Sequence, residues 1–231
     1  MVSIVACTMR PEFMRNIFRN YERQRDVEKE LILVINNNDI NMRRWRRKAK
    51  YYPNVRVYHV DEKYNLGKCL NFGIRKAKHR LIAKFDDDDY YGPDFLKESV
   101  RALDRGKARI IGKHSGFVYF EKEKALMLFR GGKEREYVSG KLMGGTLVFR
   151  KSVWEHVKFS EKRVRGSDAS FLRHCKLAGY KLYSVSRYNY VCVRRADTGS
   201  HTQKTATEKY MKRCRLIRRT DDYRPYASKR M

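Results

Sequence analysis

At 231 residues and 42% hydrophobic content, the chain has the length of one domain and enough apolar material for a core without disulfides or metals, which excludes a fibrous or low-complexity protein. Lys and Arg total 54 against 26 Asp and Glu, and a net charge of +28 points to a polyanionic partner: nucleic acid, an acidic polymer or an anionic membrane face. The 5 cysteines are scattered, no two form a CxxC pair, and no apolar run approaches the roughly 18–20 residues of a membrane span, so the expectation is a cytoplasmic protein, soluble or peripheral to the inner face of a membrane.

In chain order, Val2–Cys7 reads as a buried β-branched strand ending at Thr8. Arg10–Gln24 carries Phe13, Ile17, Phe18 and Tyr21 at helical spacing, with Pro11 in its first turn. Leu31–Ile35 is a second strand, stopped by the polar run Asn36 to Asp39. Met42–Tyr51 is a very basic helix, Val55–His59 a strand, Leu66–Lys78 a helix, and Leu81–Phe85 a strand running into Asp86-Asp87-Asp88-Asp89. This alternation predicts an α/β domain whose parallel sheet is covered by helices, with ligands bound beyond the carboxyl ends of the strands. Thr8, Asn36 to Asp39 and the four aspartates all fall at such ends.

The second half reads differently. Ile110–Phe120 and Lys124–Arg130 are expected as the strands of a hairpin, and Leu142–Phe149 as a strand opened by Gly144-Gly145. Lys151–Val157 and Asp168–Ala178 follow as helices, then Lys181–Ser186 and Tyr190–Arg194 as strands. Residues 203–231 form a basic C-terminal extension to a 1–202 domain, with Thr207–Arg218 expected as a basic helix.

Four adjacent aspartates repel one another, and the rest of the chain is poor in acid. A solvated turn does not need such a cluster. A hard divalent cation would relieve the repulsion, since Mg²⁺ or Mn²⁺ takes one or two carboxylates plus substrate phosphates. An Asp-x-Asp pair at a strand end thereby clamps a metal–diphosphate.

Here the sequence resembles the family-2 glycosyltransferases, which have the Rossmann-like GT-A fold. The resemblance covers residue 2 to about 202 and is carried by "VSIVACTMRP", "NLGKCLNFGIRKAKHRLIAKFDDDDYYGPDFL", "GGTLVFRKSVW" and "GSDASFLRHCKLAGYKL". The second block is the most specific, joining Asn65-x-Gly67, Asn71-x-Gly73 and the aspartates. The resemblance implies a nucleoside-diphosphate-sugar donor, UDP favoured, and Mn²⁺ or Mg²⁺. It makes Asp86 and Asp88 the Asp-x-Asp motif, with Asp88 the direct metal ligand and Asp86 on the donor ribose or metal waters. Thr8, Arg10 and Pro11 line the nucleotide base, Asn65 belongs to the donor motif, and Lys68 reaches a donor phosphate. Asn36 stands where the family usually has Asp, and can still accept a hydrogen bond from a uracil N3–H. Gly144 and Gly145 match the glycine-rich loop beside the donor sugar. Asp168 matches the catalytic base, with Ser167 in place of the usual Glu. His201 matches a histidine that joins the metal or diphosphate.

The implied chemistry is a single displacement with inversion, Asp168 taking the acceptor's hydroxyl proton. Residues 1–40 balance six basic against six acidic side chains, so the charge excess lies in Arg43 to Lys50, around Arg163 and Arg165, and in the tail. Two acceptors fit it: nucleic acid such as hydroxymethylated DNA, slightly favoured, or an envelope glycan at an anionic membrane face reached through the basic tail. A non-catalytic nucleic-acid-binding module on the same scaffold is the alternative from another class. A sugar-nucleotide pyrophosphorylase would need a glycine-rich, lysine-ending loop after the first strand, and "TMRPEF" is not one.

Overall fold

A computed structural model describes residues 1–106, 108–197 and 206–231. The strands are β1 (Val2–Thr8), β2 (Lys29–Ile35), β3 (Val55–His59), β4 (Leu81–Asp86), β5 (Tyr90–Tyr91), β6 (Ile110–Gly112), β7 (Gly116–Phe120), β8 (Ala125–Phe129), β9 (Glu136–Val138), β10 (Val148–Arg150), β11 (Leu182–Ser184), β12 (Tyr190–Arg194) and β13 (Cys214–Arg219). The helices are α1 (Met14–Arg23), α2 (Met42–Ala49), α3 (Leu66–Lys76), α4 (Phe95–Asp104), α5 (Lys151–His156), α6 (Ser167–Leu177), α7 (Thr207–Met211) and α8 (Arg224–Ala227).

The larger sheet runs β3-β2-β1-β4-β10-β6-β11-β9. Its first four strands are parallel, as the alternation of strand and helix predicts, and β10 enters antiparallel to both β4 and β6. Strand residues alternate faces. Leu31, Leu33 and Ile35 of β2 pack with Phe18 of α1, Trp45 of α2 and Leu96 of α4 on one side. Ile32 and Val34 pack with Leu70 of α3, Trp154 of α5 and Phe171 of α6 on the other. Gly73 is required for the α3 contact, because a Cβ there would lie 2.6 Å from Val5 Cγ1.

The smaller sheet runs β13-β8-β7-β12-β5 and carries a separate hydrophobic cluster that includes Tyr90, Phe117, Tyr119 and Leu128. The expected single strand Ile110–Phe120 is two strands in different sheets. The break falls at Lys113, whose N–H donates to Thr146 Oγ1 at 2.8 Å instead of to a neighbouring strand. The tail differs as well. Of the expected helix Thr207–Arg218 only Thr207–Met211 is helical, a short helix Arg224–Ala227 follows, and Cys214–Arg219 adds antiparallel to β8 with a bulge between Leu216 and Arg218. No helix among the described residues is long and apolar enough to cross a membrane.

Candidate active site

The acidic loop at the end of β4 is held from all sides. From α1, Asn16 Nδ2 donates to the Asp87 and Asp89 carbonyls at 2.8 and 2.9 Å, and Asn20 Nδ2 to the Asp89 carbonyl at 2.8 Å. Their i, i+4 spacing puts both amides on one helix face. Thr8 Oγ1, at the end of β1, donates to Asp87 Oδ2 at 2.5 Å. Arg10 bridges Asp87 and Asp88, and Arg195 Nη1 reaches Asp88 Oδ2 at 2.5 Å. Asp89 is buried and accepts from Tyr190 Oη at 2.5 Å and from the Val193 N–H at 3.0 Å, which ties β12 to the loop. Tyr91 Oη accepts from the Asp86 N–H at 2.7 Å and donates to the Gly145 carbonyl at 2.6 Å.

Asp168 comes from a distant segment. Gly166, in the left-handed region at φ 71°, turns the chain into α6 and places Asp168 in its first turn. Between Asp168 and Asp86 lies Lys84, 2% exposed, with Nζ 2.5 Å from Asp86 Oδ1 and 3.2 Å from Asp168 Oδ2. Gly144 and Gly145 form a 3₁₀ turn, Gly144–Thr146, rather than the start of a strand. The turn brings backbone against the carboxylates: a Cβ on Gly144 would lie 2.3 Å from Asp168 Oδ2, and one on Gly145 2.8 Å from Asp86 Oδ2. Gly145→Ala should therefore cost roughly 1–3 kcal/mol of stability through overpacking. A thermal melt reads that loss, and an unchanged melt would show that the carboxylates give way.

The electrostatics follow from burial and neighbours. Burial, opposed by Lys84 and reinforced by Asp168, pushes Asp86 up to about 6. Burial acts on Asp88 too, but Arg10 and Arg195 outweigh it and hold the carboxyl below the usual range. Burial, with Asp88 and Asp86 nearby, pushes Asp89 well up. Burial disfavours the Lys84 ammonium, yet Asp168 and Asp86 prevail and keep it charged.

The structure therefore brings Thr8, Arg10, Asp86, Asp88, Gly144, Gly145 and Asp168 to one edge of the sheet. Pro11 opens an adjacent 3₁₀ turn, and the Asn36 N–H donates to the Thr8 carbonyl at 3.0 Å. Asn65 caps α3, accepting from the Lys68 N–H at 2.9 Å, and donates to the Glu161 carbonyl at 2.6 Å. Lys68 Nζ sits 3.8 Å from the Tyr64 ring centroid. Neither residue bonds to the acidic loop among the described residues. His201 lies outside the described residues. Sequence reading missed Lys84, Asn16, Asn20 and Tyr190; only the i, i+4 pair of asparagines on α1 left a signal.

Among the described residues no group of three or more His, Cys, Asp or Glu could hold a metal by itself. Lys84 occupies Asp86 Oδ1, and Arg10 and Arg195 occupy Asp88 Oδ2, so among the described residues Asp86 Oδ2 and Asp88 Oδ1 have no hydrogen-bond partner, and oxygens of this kind suit Mg²⁺ or Mn²⁺ beside substrate oxygens.

A mostly parallel sheet flanked by helices is the fold of the GT-A glycosyltransferases. The sequence profile of glycosyl transferase family 2 matches residues 3–189, and the chain belongs to that family. No curated protein sequence matches it. Among solved structures, residues 1–349 of S. aureus TarS in complex with UDP-GlcNAc are similar at TM-score 0.66 and 15% identity, over 87% of this chain and 61% of that one. The mannosyltransferase PcManGT from Pyrobaculum calidifontis, in complex with GDP-Man and Mn²⁺, is similar at TM-score 0.63 and 17% identity, over 84% of this chain and 56% of that one. The chain thus spans less than two thirds of the length of either structure, and at these identities the likeness is one of fold.

Proposed function

We propose that the chain is a metal-dependent, inverting glycosyltransferase that moves a sugar from a nucleoside-diphosphate-sugar, UDP favoured, to a hydroxyl of an anionic acceptor. One observation carries the reading: Asp86, at the end of β4, meets Asp168, at the start of α6, across a single buried ammonium. A donor-side carboxylate and a proton acceptor are thereby brought together from segments 82 residues apart in the sequence (168 − 86). Asp86 and Asp88 are the residues that would hold Mn²⁺ or Mg²⁺, and the bound cation would supply charge stabilisation to the departing nucleoside diphosphate. Thr8, Arg10 and Asn36, at the ends of β1 and β2, form the side on which the base would lie. Gly144 and Gly145, packed against the two carboxylates, would stand beside the donor sugar. Asp168 accepts the acceptor's proton. His201 is a further candidate ligand.

The charge supports an anionic acceptor. On α2, Trp45 and Ala49 face the core, while Arg43, Arg44, Arg46 and Arg47 are exposed and have no carboxylate partner among the described residues. Nucleic acid, with its dense phosphates, is the acceptor class this face favours. An envelope glycan at the inner membrane face is the second reading. It is supported by exposed Leu216 and Ile217 among the arginines of β13, a bulged strand where a helix was expected.

A thermal-shift panel of UDP, GDP, CDP, dTDP and ADP, each with and without Mn²⁺, tests the donor site. Nucleotide at 100 times its Kd should add about 2.7 kcal/mol. The gain should depend on metal and vanish in Asp88→Ala. If no nucleotide stabilises the protein in the presence of metal, the transferase reading fails and the binding-module alternative takes its place.

A further inference from the structure

We infer that Lys84 is a positioning residue that holds the Asp168 carboxylate by Oδ2 and fixes its orientation beside Asp86. The inference rests on the reading of Asp168 as the base.

Lys84 and Asp86 are two apart on β4, so their side chains leave the same face of the strand. A lysine is almost never buried unless paired, and this one is 2% exposed. Its ammonium has three donors. They donate to Asp86 Oδ1 at 2.5 Å and the Gly144 carbonyl at 3.4 Å, and the ammonium forms an ion pair with Asp168 Oδ2 at 3.2 Å. With its donors committed inside the protein, Lys84 is poorly placed to bind a donor phosphate. It acts through the groups it holds.

The two carboxylates are treated alike. One oxygen of each faces the ammonium. Asp168 Oδ2 is further enclosed by Gly144, where a Cβ would come within 2.3 Å. Asp168 Oδ1 is buried and has no hydrogen-bond partner among the described residues. The Asp168 side chain as a whole is 24% exposed, so with Oδ1 closed off the carboxylate meets the cleft from its Oδ2 side, beside the ammonium. Asp86 Oδ2 correspondingly faces Gly145 and the donor side. One ammonium thus sets the orientation of the base and of the first aspartate of the Asp-x-Asp pair.

A merely structural lysine would neutralise charge without caring which oxygen it holds. The two roles are separated with the full chain and two variants. Lys84→Met removes the ammonium. Lys84→Arg keeps the charge but replaces a compact three-way donor with a longer planar fork. Crystal structures of the wild type and both variants read the Asp168 carboxylate directly. It should rotate or lose its single orientation in each folded variant. In parallel, release of UDP from UDP-GlcNAc with Mn²⁺, water serving as acceptor, should fall about 100-fold in kcat for Lys84→Arg, the cost of misplacing a reacting group by about 1 Å. KM should rise less than kcat falls, because the held Asp86 bears on the donor and the held Asp168 on the transfer step.

An Asp168 carboxylate unmoved in a folded variant would overturn the inference, as would a rise in KM with kcat unchanged. If Lys84→Met fails to fold, Lys84→Arg decides. If the wild type neither releases UDP nor is stabilised by any nucleotide of the panel, the transferase reading fails by itself, and the crystal structures still report whether Lys84 orients Asp168.

Discussion

Asp168→Asn should bind the donor nucleotide as the wild type does and transfer sugar about 10²–10⁴-fold more slowly, the usual contribution of a general base. The substitution is close to isosteric. An asparagine carbonyl can still accept from Lys84 Nζ, which lies 3.2 Å from Asp168 Oδ2, so the link to Asp86 persists. What disappears is the basicity of the carboxylate. A competing account gives Asp168 only a helix-dipole role, since it sits in the first turn of α6. That role is worth roughly 0.3–1 kcal/mol of stability and nothing in rate. The two accounts therefore diverge in one pair of measurements. Thermal stability of the nucleotide complex and single-turnover transfer rate are compared between wild type and variant. A small loss in the first with a large loss in the second identifies the base. Transfer within threefold of wild type assigns Asp168 to the dipole role and removes it from the chemistry.

The regular part of this fold was legible because its signals are local. β1 to β4 are short apolar runs broken by polar residues, and α1 and α3 carry their apolar residues at helical spacing. The aspartates stood out against a basic chain. The unread residues share a different trait: their meaning depends on partners far away in sequence. Lys84 interrupts the apolar run Leu81–Phe85, and nothing local says that its partner is Asp168. Tyr190 is one aromatic among 16 tyrosines until it is found on Asp89, 101 residues earlier. The run Leu142–Phe149 reads as a strand by composition. Its backbone instead turns at Gly144–Thr146, because two carboxylates occupy the space a Cβ would need. Helix α4 (Phe95–Asp104) carried no sequence expectation, although Phe95 stacks edge-on against Phe85 and Tyr91 beneath the acidic loop.

The tail offers the sharpest test of where the folding unit ends. Composition set residues 203–231 apart as an appendage, whereas the structure weaves residues 206–231 into the smaller sheet. Tyr210 is 5% exposed and packs edge-on between Phe120 and Phe129, at centroid distances of 5.8 and 5.3 Å. β13 lies along β8 from Cys214 opposite Phe129 to Arg219 opposite Ala125. Beyond it, the Ala227 carbonyl accepts from the Asn189 N–H at 2.7 Å, and Asn189 Nδ2 donates to the Lys229 carbonyl at 2.6 Å. Asn189 immediately precedes β12, the strand that supplies Tyr190 and the Val193 N–H to Asp89. The tail therefore supports the strand that supports the acidic loop. Tyr210→Ala should cost about 3–5 kcal/mol, as large-to-small aromatic substitutions in cores do. At about 2–4 °C per kcal/mol for a domain this size, Tm should fall by roughly 6–20 °C. Arg215→Gln, on the exposed side of β13, should stay within about 0.5 kcal/mol of wild type. Deleting residues 206–231 removes Tyr210, β13 and the Asn189 contacts together, and should abolish both the cooperative melt and stabilisation by nucleotide. A truncated chain that melts at the wild-type temperature would make the tail an appendage after all. One that melts normally but no longer binds nucleotide would place its contribution in the β12–Asp89 link alone.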